Sequence, residues 1–208
     1  MTWKWDPIAG RYWNSETKKH IGRTKALEYV EMSATATGLA TDDLALLLSD
    51  EIIGAAEWRI AMRESVKREY IRQYLLGRGG LEQMTYADWG SIGGMLAEQY
   101  GHLDNFTAVL GDLSEAQIMA RSKMYINSGR EAYERAHARV AIGLGFDEEA
   151  WVIDPLALNC DDCLAYYEEG WKPIDHFPFP GQGWTVCLTN CKCHKEYRNS
   201  QTEEVWEG

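Results

Sequence analysis

Cys160-Asp161-Asp162-Cys163, followed after residues 164–186 by Cys187-Leu188-Thr189-Asn190-Cys191-Lys192-Cys193, gathers all five cysteines of the chain into one short region. A C-x-x-C turn sets two thiolates on one side of a tight knuckle, at a separation that suits tetrahedral zinc. The second group follows at a normal zinc-ribbon distance, so four thiols from Cys160, Cys163, Cys187, Cys191 and Cys193 can close a structural site for one Zn2+ per chain. The fifth cysteine, or His194 or His176, is then a spare, and spacing does not decide which of Cys187, Cys191 and Cys193 is left out. Disulfides formed late, in an extracellular particle, are the second reading. A catalytic thiol ranks last, because no lone cysteine stands apart with a partner His and Asn. A metal would supply what the core of a tail of about 50 residues cannot. Gly170, Trp171, Pro173, His176, Phe177, Pro178, Phe179, Pro180 and Gly181 lie between the two groups. That run cannot be helical, and its aromatics are expected to roof the metal unit.

Working outward, Trp151-Val152-Ile153-Asp154 reads as a strand, and the character of the chain changes near 146–150. The expected organisation is an extended aromatic arm over 1–21, a helical body over 22–146 and a cysteine-rich subdomain over 147–208. The fold class is mainly α: a long-helix bundle with a small α+β C-terminal unit. Asn14–Lys19 is polar and could turn a hairpin, which must lie on something larger (the chain's own body or a neighbouring subunit) to be stable. A first helix is expected over Arg23–Thr37, ending near Gly38. A second, N-capped by Thr41 and supported by Asp42 and Asp43, follows a helical apolar stripe to Gly77. It is either kinked near Gly54 or a long spine. Thr85 with Asp88 and Ser114 with Gln117 are capping-box signals. They predict helices to about Tyr100 and to about Ile142, with a shorter helix over His102–Leu110 between them. Gly90, Gly93 and Gly94 suggest a close helix–helix approach.

The 208 residues are 45% hydrophobic and 25% charged, ordinary for a globular chain long enough to bury a core. Nine tryptophans and eleven tyrosines fit either a large aromatic core or a chain that packs on partners. A net charge of −11 argues against general nucleic-acid binding, which needs a Lys/Arg surface. The basic run Arg59–Arg63–Lys67–Arg68–Arg72 reads as the solvated face of a helix. The start of the chain does not read as a signal peptide, and no window approaches the roughly 20 apolar residues that span a bilayer. A soluble protein made in a reducing cytoplasm is the expectation, and there clustered cysteines favour metal.

The order Cys160-x-x-Cys163, Gly170, Pro178, Pro180 and Cys187-x-x-x-Cys191-Lys192-Cys193 resembles the tail of the phage head-morphogenesis, or minor capsid, family. The preceding helix, with Arg121-Ser122-Lys123-Met124-Tyr125 and Ala132-Tyr133, is similar too, as is the N-terminal Arg11-Tyr12-Trp13. The likeness covers roughly 115–197. Where that family commonly carries a His shortly before the final C-x-C, this chain has Leu188 with Cys187 beside it. The resemblance implies a low-copy virion protein of a tailed bacteriophage, made in the host cytoplasm. It would contact the portal protein or the major capsid protein, with self-association allowed, and assist head assembly or DNA delivery. Such tails sometimes precede an extra enzyme domain, for which a chain ending at Gly208 leaves no room.

Two other classes compete. For an enzyme, the acid pairs Asp42/Asp43, Glu148/Glu149 and Glu203/Glu204 read as caps or surface turns, and Gly77-Arg78-Gly79-Gly80 lacks the Lys-Ser/Thr of a phosphate loop. No enzyme is expected. For a zinc-ribbon nucleic-acid module, Lys192, His194, Lys195 and Arg198 give local basic character, opposed by Asp161, Asp162, Glu168 and Glu169. It ranks below the structural reading and above the enzyme.

Overall fold

Helix-forming segments with clear stop signals dominate the chain, and a computed structural model describes residues 3–206. Five long helices come first: α1 (Arg23–Ser49), α2 (Ala55–Arg78), α3 (Tyr86–Thr107), α4 (Glu115–Asn127) and α5 (Gly129–Gly143). Before them a small antiparallel sheet is formed by β1 (Trp3–Asp6), β2 (Arg11–Asn14) and β3 (Lys19–His20). After them a second antiparallel sheet has the order β5-β4-β6-β7, from β4 (Glu148–Val152), β5 (Lys172–Pro173), β6 (His194–Arg198) and β7 (Val205–Trp206). A short helix, α6 (Asp161–Glu169), lies between β4 and β5. The protein is therefore mainly α with small antiparallel sheets and a cysteine cluster near its C-terminus.

The helix ends differ from the sequence expectation in instructive ways. α1 does not stop at Gly38. It runs on to Ser49, and Thr41, expected as an N-cap, sits mid-helix with its hydroxyl bonded back to the Gly38 carbonyl at 2.8 Å. The break comes instead at Glu51, which adopts a left-handed φ of 57°, and at Gly54, whose N–H donates to Glu57 Oε2 at 2.7 Å to start α2. Glycine inside a helix costs only about 1 kcal/mol, so packing can carry a helix through it. Both capping boxes form, Thr85 with Asp88 and Ser114 with Gln117. α3 continues past Tyr100 to Thr107 without a separate helix at His102, and the helix expected over 115–142 is interrupted at Ser128.

The close approach is not at Gly90, Gly93 or Gly94, where an added Cβ would meet nothing within 4 Å. It is at Gly77, where a Cβ would lie 2.6 Å from the Tyr133 carbonyl oxygen and 2.8 Å from Ala136 Cβ. α2 and α5 can touch backbone to backbone there because both sides are small. The main core fills the space between α2 and its neighbours with Trp58, Met62, Val66, Tyr70 and Tyr74, against Phe106, Ile118 and Ile126.

α5 is buried on nearly every side, including its polar residues Arg130, Glu131, Glu134 and His137. One face meets α2, while Ala138, Val140 and Ala141 pack on Tyr197 and Trp206 of the C-terminal sheet. The N-terminal hairpin, turned by Asn14 accepting the N–H groups of Glu16 and Thr17, lies on the chain's own body. Trp5 covers Gly79, and Trp206 Nε1 donates to the Ala9 carbonyl at 2.9 Å.

Asp88, at the start of α3, is buried and links α2, α3 and α5. It accepts from Thr85, from Tyr74 Oη at 2.9 Å and from Arg139 at 3.1 Å, with Arg78 at 3.3 Å. Burial alone would raise its pKa, but the Thr85 donors, Tyr74 and Arg78 outweigh it and hold the carboxyl below its usual range. A depressed folded pKa gives stability that is present above the unfolded value of about 4 and is lost as pH falls through the folded value. Asp88→Asn should flatten that acid limb of a urea-unfolding profile against pH. A second expectation concerns the glycines. Gly77→Ala should lower stability by about 1–3 kcal/mol through overpacking, whereas Gly93→Ala should raise it by up to about 1 kcal/mol, both read by urea unfolding.

Candidate metal centre

The two cysteine groups reach one place by different local devices. Cys160 is the extended residue before α6, and Cys163 lies in the first turn of that helix. Asp161 and Asp162 occupy the same turn, where acids suit the helix dipole, and Asp162 Oδ2 accepts the N–H of Val186 at 2.8 Å. This bond holds the second cysteine loop against the first. Cys187 opens a single 3-10 turn over Leu188–Asn190, made possible by a left-handed Leu188 with φ 52°. Cys191 and Cys193 then point inward as the chain enters β6.

The five thiols form two groups of three that share Cys163: Cys160, Cys163 and Cys187, and Cys163, Cys191 and Cys193. Within each group the sulfurs lie within 4.8 Å of one another. Cys163 Sγ is 3.8 Å from Cys187 Sγ and 3.7 Å from Cys191 Sγ. Thiolates bound at about 2.3 Å around a tetrahedral ion are about 3.8 Å apart, whereas a disulfide needs about 2.05 Å. All five cysteines are free thiols, and within each group of three the spacing is one at which a metal ion could be held. Cys163, Cys191 and Cys193 are buried; Cys160 and Cys187 are half-buried.

Without a cation the thiols must share protons. Donation toward Cys193 from Cys163 and Cys191 lowers its pKa to about 3. The hydrogen bonds to Cys191 and Cys193 push Cys163 upward. Cys191 gains a donor in Cys163, but its own bond to Cys193 and its burial win, and its pKa rises. Burial would raise Cys160, yet backbone donors from Cys163 and Cys187 outweigh it and leave that thiol below its ordinary value. Like charges packed together cannot all ionise, and a bound cation removes that conflict.

Neither histidine considered as a spare ligand joins the thiol groups. His176 Nε2 pairs with Glu169 at 2.8 Å, and His194 Nε2 lies 3.8 Å from Glu196. The aromatic loop does cover the cluster. Phe177 is buried with Trp151 and the cysteines, and Tyr166 sits 5.2 Å from Trp151, ring to ring.

What holds that loop in place was not legible in the motif. Glu149, expected in an acidic surface turn, is 0% exposed. Its carboxylate takes the N–H of Phe177 at 2.8 Å and the ammonium of Lys195 at 2.9 Å. Lys195, counted among the local basic residues, is also 0% exposed; it donates to the Phe177 carbonyl at 2.8 Å and lies 4.1 Å above the Phe179 ring. Burial pushes the Lys195 ammonium below its usual pKa despite the Glu149 charge. The alternation of β4 and β6 is the available signal: in that register Glu149 and Trp151 fall on the same face as Lys195 and Tyr197.

A second anchor joins the cluster to the helices. Arg130, at the start of α5, donates to the Cys193 carbonyl at 2.9 Å and pairs with Glu31 of α1 at 2.7 Å. Glu31 also pairs with Lys192, between the last two cysteines. Gly181, at φ 85°, lies against the same turn of α5; a Cβ there would be 3.0 Å from Arg130 Cβ.

Lys195→Met should cost about 3–5 kcal/mol, because it leaves a buried carboxylate unpaired. Adding Glu149→Gln should recover part of that loss while keeping an acceptor for Phe177. A double-mutant cycle in urea reads the coupling. Compared with known proteins, the chain matches no protein-family model, no curated protein and no solved structure.

Proposed function

We propose that this chain is a virion structural protein, a minor capsid or head-morphogenesis component. In this reading it docks at or near the portal vertex of a tailed phage and assists head assembly or DNA delivery. The observation that carries the reading is the convergence of its motif. Cys160-x-x-Cys163 and Cys191-Lys192-Cys193, features that resemble that family, bring their thiols together, with Phe177 of the proline-rich loop buried against them. Arg130 ties that cluster to the helical body. A rigid knob on a helical body is a docking architecture, with Zn2+ as the structural ion that thiolate ligands select. In this reading four of Cys160, Cys163, Cys187, Cys191 and Cys193 hold the zinc, and it stabilises rather than reacts.

The nucleic-acid alternative loses its cations to internal pairs. Lys195 is consumed by Glu149, Arg198 by Glu148 at 2.6 Å, and Lys192 by Glu31. On α2, Arg59 and Arg63 both reach Asp104 of α3, and Arg72 faces Glu69. Each such pair lowers the net positive charge that this surface offers a phosphate backbone. No helix among the described residues is long and apolar enough to cross a membrane.

The test is quantitative mass spectrometry of particles assembled in cells that express this chain with its neighbouring genes, normalised to the portal ring. A low, fixed copy number matched to the portal supports the reading. A chain wholly absent from particles overturns it.

A further inference from the structure

We infer that the cysteine cluster takes two thiophilic d10 cations, Zn2+ being the natural case, with the sulfur of Cys163 shared between them. This deepens the metal reading above and rests on it. The thiols do not form one set of four. They form two triangles with a single common corner, Cys163. One triangle, Cys163, Cys191 and Cys193, is buried throughout; the other, completed by Cys160 and Cys187, is half-open to solvent. From Cys163 the reach is 3.7 Å into the first triangle and 3.8 Å into the second, the edge length of thiolates around one ion in each direction.

Charge favours the same answer. One divalent ion with four thiolates leaves two negative charges and a spare thiol in a mostly buried space. Two divalent ions with five thiolates leave one negative charge and no spare, a smaller desolvation penalty. An oxygen stands beside each triangle. Asn159 Oδ1 is 3.6 Å from Cys193 Sγ at the buried site, and the Thr185 hydroxyl is 3.2 Å from Cys187 Sγ at the outer one. Solvent can complete the outer shell. Binding releases the thiol protons to water, and no oxidation is involved.

The test uses the whole chain, reduced, stripped of metal and titrated with Zn2+, with native mass spectrometry and a chromophoric zinc competitor as readouts. The expected plateau is two ions per chain, falling to one in Cys187→Ser. Cadmium-113 NMR of the unmutated protein reads the sharing directly and does not depend on a variant folding. Two resonances, each split by the other through the common sulfur, are expected. A plateau at one ion with a single resonance overturns the shared-ligand inference and leaves the metal reading intact. No bound ion at all overturns both.

Discussion

Five sulfur atoms packed against one another set the terms for everything that follows α5. A cation would balance the charge they carry when ionised, since neighbouring thiolates in a buried space repel. The elements around them are arranged to hold that spacing. α6 supplies Cys163 from its first turn, Asp162 fixes the second loop, and a left-handed Leu188 lets the chain turn back toward Cys191. The sheet contributes Trp151 as the floor. Trp151 and Phe177 are buried beside the thiols with Ile153 and Tyr166 packed on them, a small core that a bound metal would reinforce.

The second constraint is α5, whose solvated face is reduced to a narrow stripe at Arg135, Arg139 and Ile142. Most helices in a small protein bury one stripe; this one buries alanines toward both α2 and the C-terminal sheet. Its first turn carries the Arg130 contact to the Cys193 carbonyl. Arg23 of α1 reaches two buried polar side chains of this helix, lying 3.5 Å from Glu134 and 3.2 Å from His137 Nδ1. The His137 ring stacks between Tyr133 and Trp206. The N-terminal hairpin, the helices and the last strand thus meet around one histidine.

Local chemistry was readable in the residues, and distant pairing was not. The capping boxes at Thr85 and Ser114 and the Asn14 turn each act within a few residues, and each is present as read, while the cysteines gather as two groups of three that share Cys163. The stop expected at Gly38 is absent and the kink expected near Gly54 is a full break, although the two glycines look alike in sequence. Only the carboxylate of Glu57, folded back onto the Gly54 N–H, distinguishes the second. The Glu149–Lys195 pair spans 46 residues and the Arg130–Glu31 pair 99, so each residue reads alone as an ordinary surface charge. Gly77 shows the same limit: its role is set by Tyr133 and Ala136 across the helix interface.

X-ray absorption at the zinc edge, on protein purified under reducing conditions and without added chelator, addresses the thiolate–metal centre most directly. A first shell dominated by sulfur at about 2.3 Å is expected. A shell dominated by nitrogen or oxygen at about 2.0–2.1 Å, or a protein without metal whose cysteines are paired as disulfides, would contradict it.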